Sequence, residues 1–163
     1  MKILVDADGC PVKQEIRRVA KRCGLAVKLV ANKWLAVPDD PLVEMVVVGD
    51  GFDAADDWIV EHAAARDVVV TADIQLAARC LKKDALVVGS TGRRFTDRDI
   101  GGALASRALS AHLRESGMVT GGPAPFRDRD RSQFLQALDA AVHEGRRICV
   151  GPTFRGRTSL GPI

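Results

Sequence analysis

Lys2-Ile3-Leu4-Val5-Asp6-Ala7-Asp8-Gly9-Cys10-Pro11 opens the chain and decides its fold. Ile3, Leu4 and Val5 form an unbroken apolar run, the pattern of a strand buried on both faces of a parallel sheet. The run stops at Asp6 and Asp8, whose spacing turns both carboxylates to one side of an extended chain. Gly9 and Pro11 break the strand, and a helical pattern follows at once. Open α/β sheets take their ligands at the carboxyl ends of their strands, which is where these acids fall. Turn chemistry is the plainer alternative, since Asp and Gly are common turn residues and one acid can cap the next helix. It explains one Asp and not both.

Downstream, strand and helix patterns alternate. Residues 12–22 read as an amphipathic helix, with Val12, Ile16, Val19 and Ala20 at helical spacing and Gly24 as its stop. Strands are predicted at 25–30, 45–48, 68–71 and 85–88, and helices at 53–65 and 73–83. The stretch 32–42, with Pro38 and Pro41, reads as irregular. Beyond it, 90–94 reads as a polar loop, Thr96 opens a helix to about residue 114, and 117–125 reads as a loop around Gly-Gly-Pro. A last helix is predicted at 130–144, with Phe134, Leu135, Leu138 and Val142 on one face. Such alternation predicts a three-layer α/β fold, a mainly parallel central sheet between helices joined by right-handed crossovers. We read 1–150 as a single domain and 151–163 as a Gly/Pro/Arg-rich tail.

At 163 residues and 47% hydrophobic, the chain has enough apolar material for one substantial core. No apolar run approaches the roughly 20 residues of a membrane helix. The first residues enter a strand without a charged-then-apolar leader, so a cytoplasmic location without a membrane partner is expected. Cys10, Cys23, Cys80 and Cys149 are scattered, as suits reduced thiols rather than a zinc site. Cys10 is a candidate nucleophile, though neighbouring carboxylates would blunt it. His62, His112 and His143 lack metal-ligand spacing and read as surface or structural residues. Charge is uneven: residues 1–92 carry 12 Lys/Arg against 14 Asp/Glu, and residues 93–163 carry 12 Arg against 7 Asp/Glu. An arginine-rich second part beside an acidic, cation-neutralised centre would suit a polyanion; solvated arginines would give the same count.

More acids follow the later strands. Asp53, Asp56 and Asp57 lie at spacings that share one helical face, and Asp73 stands just past the fourth strand. Singly, each is an ordinary helix cap or first-turn acid. Together they would converge on one sheet edge and repel unless a divalent cation held them. Mg2+ or Mn2+, which take oxygen ligands, fit that set.

Asp6-Ala7-Asp8-Gly9-Cys10-Pro11-Val12-Lys13, Asp53-Ala54-Ala55-Asp56-Asp57 and Val70-Thr71-Ala72-Asp73-Ile74-Gln75-Leu76-Ala77 resemble motifs of the bacterial YaiI/YqxD family. Gly92-Arg93-Arg94-Phe95-Thr96 and Gly121-Gly122-Pro123 resemble its later motifs, so the likeness spans nearly the whole chain. The family is similar in fold to PIN domains, which implies a metal-dependent nuclease arrangement of acids around Mg2+ or Mn2+. The likeness supplies a fold and a site, not a substrate. One small departure is Gly9, where the family more usually has Ala.

On that reading Asp6, Asp8 and Asp73 are the catalytic acids. Asp6, Asp8, Asp53, Asp56, Asp57 and Asp73 are the candidate metal ligands. The metal would lower the pKa of a bound water and orient it toward a phosphodiester. Lys13, Arg93, Arg94 and Thr96 are the candidate contacts to a nucleic acid, RNA more than DNA; a guanidinium fork suits phosphate oxygens. Trp34 and Phe95 are candidates for stacking on a base, with core packing as the competing role. Two rivals remain. Val5-Asp6-Ala7-Asp8-Gly9 also resembles the first motif of haloacid-dehalogenase-like phosphatases, with Asp6 as nucleophile and Asp8 as acid/base. The other is a non-catalytic binding module that keeps the acids without turnover.

Overall fold

The computed structural model describes residues 1–102 and 125–147. Strands β1 (Ile3–Asp6), β2 (Val27–Ala31), β3 (Val43–Val47), β4 (Val68–Val70), β5 (Leu86–Val88) and β6 (Arg94–Phe95) form one sheet in the order β3-β2-β1-β4-β5-β6. The first five run parallel, and β6 returns antiparallel to β5. The helices are α1 (Lys13–Cys23), α2 (Ala54–His62), α3 (Ile74–Leu81), α4, which begins at 97 and is described to 102, and α5 (Asp128–Arg147). No helix among the described residues is long and apolar enough to cross a membrane.

Alternation along β1 builds two cores. Ile3 and Val5 pack on one face with Val12, Ile16 and Val19 of the α1 segment and Phe134, Leu138 and Val142 of α5. Leu4 points the other way, joining Val69, Ile59 of α2, and Leu76 and Cys80 of α3. Ile3, Leu4 and Val5 are all fully buried, as the apolar run predicts. Each such side chain contributes about 1.5–3 kcal/mol of burial free energy. Helices therefore cover both faces of the sheet, which is the expected three-layer arrangement and is consistent with a PIN-like fold. Asp6 has the same parity as Leu4, so it projects toward the α2/α3 layer. Thr71, two residues after Val69, has that direction as well.

The chain moves outward from β1 through β2 to β3, then crosses back to place β4 on the other side of β1. The switch point thus lies between β1 and β4, where α/β sheets open a crevice at the carboxyl edge. Asp6 and Thr71 stand on its two sides.

Several boundaries differ from the sequence reading by one to three residues at a strand or helix end. The larger difference is at 90–94, read as a loop: Arg94 and Phe95 pair with Val88 and Val87 as β6. The turn is tight, with Gly89 N–H bonded to Arg93 O at 2.8 Å and Gly92 N–H to Gly89 O at 2.9 Å. Gly92 has φ +87°, and a Cβ there would stand 2.6 Å from the Gln133 backbone of α5. Only glycine fits that approach. The expected helix end near 114, the loop 117–125 except its last residue, and the tail 151–163 lie outside the described residues, as do His112 and Cys149.

Candidate functional site

Asp6 is held by the strand across the switch point. Thr71 Oγ1 donates to Asp6 Oδ2 at 3.1 Å and accepts the Asp73 N–H at 3.0 Å. Asp73 in turn caps α3, its Oδ1 accepting from Gln75 N at 2.7 Å and Leu76 N at 3.2 Å. Asp8 lies on the loop after β1, and its Oδ2 accepts from Asn32 N at 3.1 Å, tying that loop to the end of β2. From the opposite layer, Arg131 of α5 donates to Pro11 O and to Glu15 Oε1, each at 3.1 Å, and so pins the far end of the same loop.

Asp53 behaves differently from Asp73. It precedes α2 with φ 59°, and its side chain makes no capping bond. The left-handed conformation costs a non-glycine residue roughly 1–2 kcal/mol. Helix capping thus explains Asp73 and leaves Asp53 without a capping role.

Asp6, Asp8, Asn32, Asp50, Phe52, Asp53 and Asp56 line one cleft of about 410 Å³ at the carboxyl edge of β1, β2 and β3. A smaller cavity on the other side of Asp6 is lined by Asp8, Cys10, Thr71 and Ser90. The electrostatics mark the cleft as crowded with negative charge. Burial pushes the Asp6 carboxyl up, opposed by the Thr71 bond and reinforced by Asp8 and Asp73. Asp56 is pushed up to about 6, first by burial and then by Asp6, Asp73 and Asp53. Asp56 therefore feels Asp6, Asp53 and Asp73, and Asp6 feels Asp8 and Asp73, although these acids come from three different segments.

The other predicted residues have other surroundings. Asp57 faces away to an ion pair with Arg79 of α3 at 2.7 Å. Arg94 pairs with Glu144 of α5 at 3.0 Å. Thr96 caps the start of α4, its Oγ1 accepting the Asp99 N–H at 3.2 Å and donating to Asp99 Oδ2 at 2.7 Å. Arg93 is exposed, lies 5.6 Å over the Phe95 ring, and lines a groove with Thr91, Asp130 and Gln133 rather than the acidic cleft. Lys13 begins α1 and lies close enough to Cys10 to act on its thiol. The Cys10 thiol is raised, chiefly by burial, and is a poor nucleophile. Of the two aromatic candidates, Phe95 is buried, which removes it from any stacking role, while Trp34 is 70% exposed. His62 stacks on Trp58 at 3.7 Å and His143 lies 3.5 Å from Asp139, both away from the acids.

Three residues of the site lie outside the predicted set, and two of them, Thr71 and Asn32, are not acids. Thr71 is visible only as a hydroxyl two residues before Asp73. Asp50 sits in a Gly-Asp-Gly turn. Asn32 is buried at its Oδ1, which has no hydrogen-bond partner among the described residues. An unpartnered oxygen of this kind, beside several carboxylates, is an acceptor left for a cation or a hydrogen-bond donor.

The donor chemistry suits Mg2+ or Mn2+, being oxygen throughout. The arrangement does not yet: among the described residues, no three His, Cys, Asp or Glu side chains form a group able to hold an ion as they stand. A cation would have to draw the carboxylates inward.

The family model described as "Uncharacterized BCR, YaiI/YqxD family" matches residues 4–144. A UPF0178 protein of Sphingopyxis alaskensis is 60% identical over 141 residues, covering 86% of this chain and 92% of its own. A UPF0178 protein of Nitrobacter winogradskyi is 53% identical over 149 residues, covering 91% and 95%. UPF0178 protein amb2838 of Paramagnetospirillum magneticum is 52% identical over 147 residues, covering 90% and 97%. No solved structure matches the chain. With the matched stretch running from β1 into α5 and relatives of this identity covering nearly their full length, the chain belongs to the YaiI/YqxD family.

Proposed function

We propose that this protein is a cytoplasmic, metal-dependent phosphodiesterase that cleaves nucleic acid, RNA more than DNA. The observation that carries the reading is the convergence of Asp6, Asp8, Asp53 and Asp56 on one cleft at the carboxyl edge, where burial first, and then Asp6, Asp73 and Asp53, push Asp56 up to about 6. Carboxylates set against one another cost stability unless a cation offsets them, and sites that perturb pKa values in a cleft are commonly functional.

Asp6, Asp73 and Asp56 would hold Mg2+ or Mn2+, with Asp8, Asp53 and the Asn32 Oδ1 as further oxygens. Bound there, the cation would acidify a water and stabilise charge on a phosphodiester. The chain's own residues supply the rest. Thr71 fixes the orientation of Asp6 through its hydroxyl. The backbone of α3 fixes Asp73. Arg131 and Asn32 hold the two ends of the loop that carries Asp8. Ser90, beside Asp6, is followed directly by Thr91, which lines the groove with Arg93. That continuity offers a phosphate backbone a basic contact along the same edge. Arg94, already paired with Glu144, is the weaker contact of the two.

The test is a panel of labelled single- and double-stranded RNA and DNA incubated with purified protein and Mn2+. Cleavage lost in Asp6→Asn and in Asp73→Asn supports the reading. Cleavage that persists in both variants comes from a contaminant. A phosphoenzyme trapped on Asp6 would replace the nuclease with a phosphatase, and salt-insensitive inertness across the panel would leave a binding module.

A further inference from the structure

Among the described residues, most of the exposed large apolar side chains stand at or just beyond the ends of two neighbouring strands. The large hydrophobic side chains with the greatest exposure among the described residues are Phe52 at 95%, Trp34 at 70%, Val47 at 50% and Met1 at 39%. Three of these four lie at or beyond the carboxyl ends of β2 and β3. Val47 ends β3 and lies opposite Ala31, the end of β2; Trp34 is three residues beyond Ala31, and Phe52 five beyond Val47. Phe52 lines the acidic cleft itself, together with Asn32, two residues from Trp34.

Aromatic residues are scarce here, with five Phe, two Trp and no Tyr in the whole chain. Other described rings have clear structural work. Phe134 is fully buried, Phe95 lies beneath Arg93, Phe126 beneath Arg131, and Trp58 stacks on His62. Folding gains nothing from Phe52, which remains almost wholly in water. It stands between Gly51 and Asp53, the latter in a left-handed conformation.

From this juxtaposition we infer that Trp34 and Phe52 are a stacking platform for unpaired bases, which makes the substrate a single-stranded nucleic acid. The inference rests on the nuclease reading of the adjacent cleft and narrows its substrate. A base presents a flat π-face to an aromatic ring whatever its identity, and a duplex hides those faces in its own stack. Lys33, exposed between Asn32 and Trp34, suits the accompanying phosphate. A protein partner fits less well, because covering Phe52 would also cover the cleft carboxylates and strip them of water. A base on the rim leaves them hydrated or free for a cation.

The experiment measures fluorescence anisotropy of a labelled 12-mer with the Asp6→Asn protein in Mn2+, so that binding is read without turnover. Three probes are compared: the single strand, its duplex, and a strand of abasic residues. Expected is binding to the single strand that exceeds both others, and that falls about tenfold in Trp34→Ala and again in Phe52→Ala. Both side chains are exposed, so the variants should unfold at the parent temperature. Equal binding of the abasic strand, or no change in either variant, overturns the platform even where the wild-type protein cleaves RNA. Base-dependent binding without any cleavage by the wild-type protein keeps the platform and removes the nuclease. Self-association that disappears in Phe52→Ala, with no base dependence, reassigns the surface to a second copy of the chain and overturns the inference.

Discussion

Thr71 Oγ1 donates to Asp6 Oδ2 at 3.1 Å across the boundary between β4 and β1. These residues are 65 positions apart in sequence, and the bond closes the switch point at which the outward and returning halves of the sheet meet. The same hydroxyl accepts the Asp73 N–H, so one side chain sets the spacing of two acids.

Thr71→Val should therefore disturb both. It removes a donor that lowers the Asp6 pKa and leaves the Asp73 N–H unpaired, at a cost of roughly 1–3 kcal/mol. Urea unfolding should show that loss, and a carbon-detected titration should show Asp6 protonating at higher pH than in the parent. Thr71→Ser, which keeps the hydroxyl, should restore both properties.

Asp73 combines a cap with a charge, and two substitutions separate them. Asp73→Asn keeps an oxygen for the Gln75 and Leu76 amides and should leave thermal stability nearly intact in the absence of divalent cation. Asp73→Ala loses the cap and should cost about 0.5–2 kcal/mol. Both should lose any response to Mn2+. Equal stability of the Ala and Asn variants would mean that the cap is not formed in solution.

The strand–acid pattern of the first ten residues was legible because its causes are local. Two buried faces demand an apolar run, and strand geometry alone decides the side on which Asp6 emerges. Asp73 was legible for the same reason, a valine run ending in a helix cap. Long-range pairing was not legible. Nothing near Arg94 announces Glu144, 50 residues on, and nothing near Asp57 announces Arg79. β6 is two residues long and borrows its identity from β5. Trp34 and Phe95 could not be told apart by composition, because exposure depends on whether a neighbouring element covers the ring. Asp53 stands at a cap position and makes no capping bond, which its place before a helix does not reveal.

Asp56 makes stability depend on pH. Its folded pKa of about 6 lies above the ordinary 3.8, so the folded protein holds that proton more firmly. The associated stability is present in full below about pH 4 and is lost as pH rises through about 6. Asp56→Asn should thus gain about 1 kcal/mol at pH 8, after allowance for solvent screening, and little at pH 4. Denaturant midpoints at the two pH values provide the check. A gain of the same size at both would mean that Asp56 is not under charge strain.

Arg131 compensates a buried acid. Glu15 is 9% exposed, and its Oε1 accepts from Arg131 at 3.1 Å. Arg131→Ala should destabilise by roughly 1–3 kcal/mol by leaving that carboxylate without its partner. It should also free the Pro11 end of the loop carrying Asp8, seen as faster amide exchange over 7–12. The double variant Arg131→Ala/Glu15→Gln should recover most of the stability.

Thermal unfolding across an Mn2+ titration tests most directly whether the carboxylates around Asp6 take a divalent cation. At a hundredfold excess over Kd, a single site adds about 2.7 kcal/mol. For a chain of this size that is a rise of roughly 5–10 °C in Tm. The expected result is a saturable rise of that order in the wild-type protein, reversed by EDTA and absent in Asp6→Asn and Asp73→Asn. A Tm unchanged through millimolar Mn2+, or an equal rise in both variants, contradicts a metal site at the switch point.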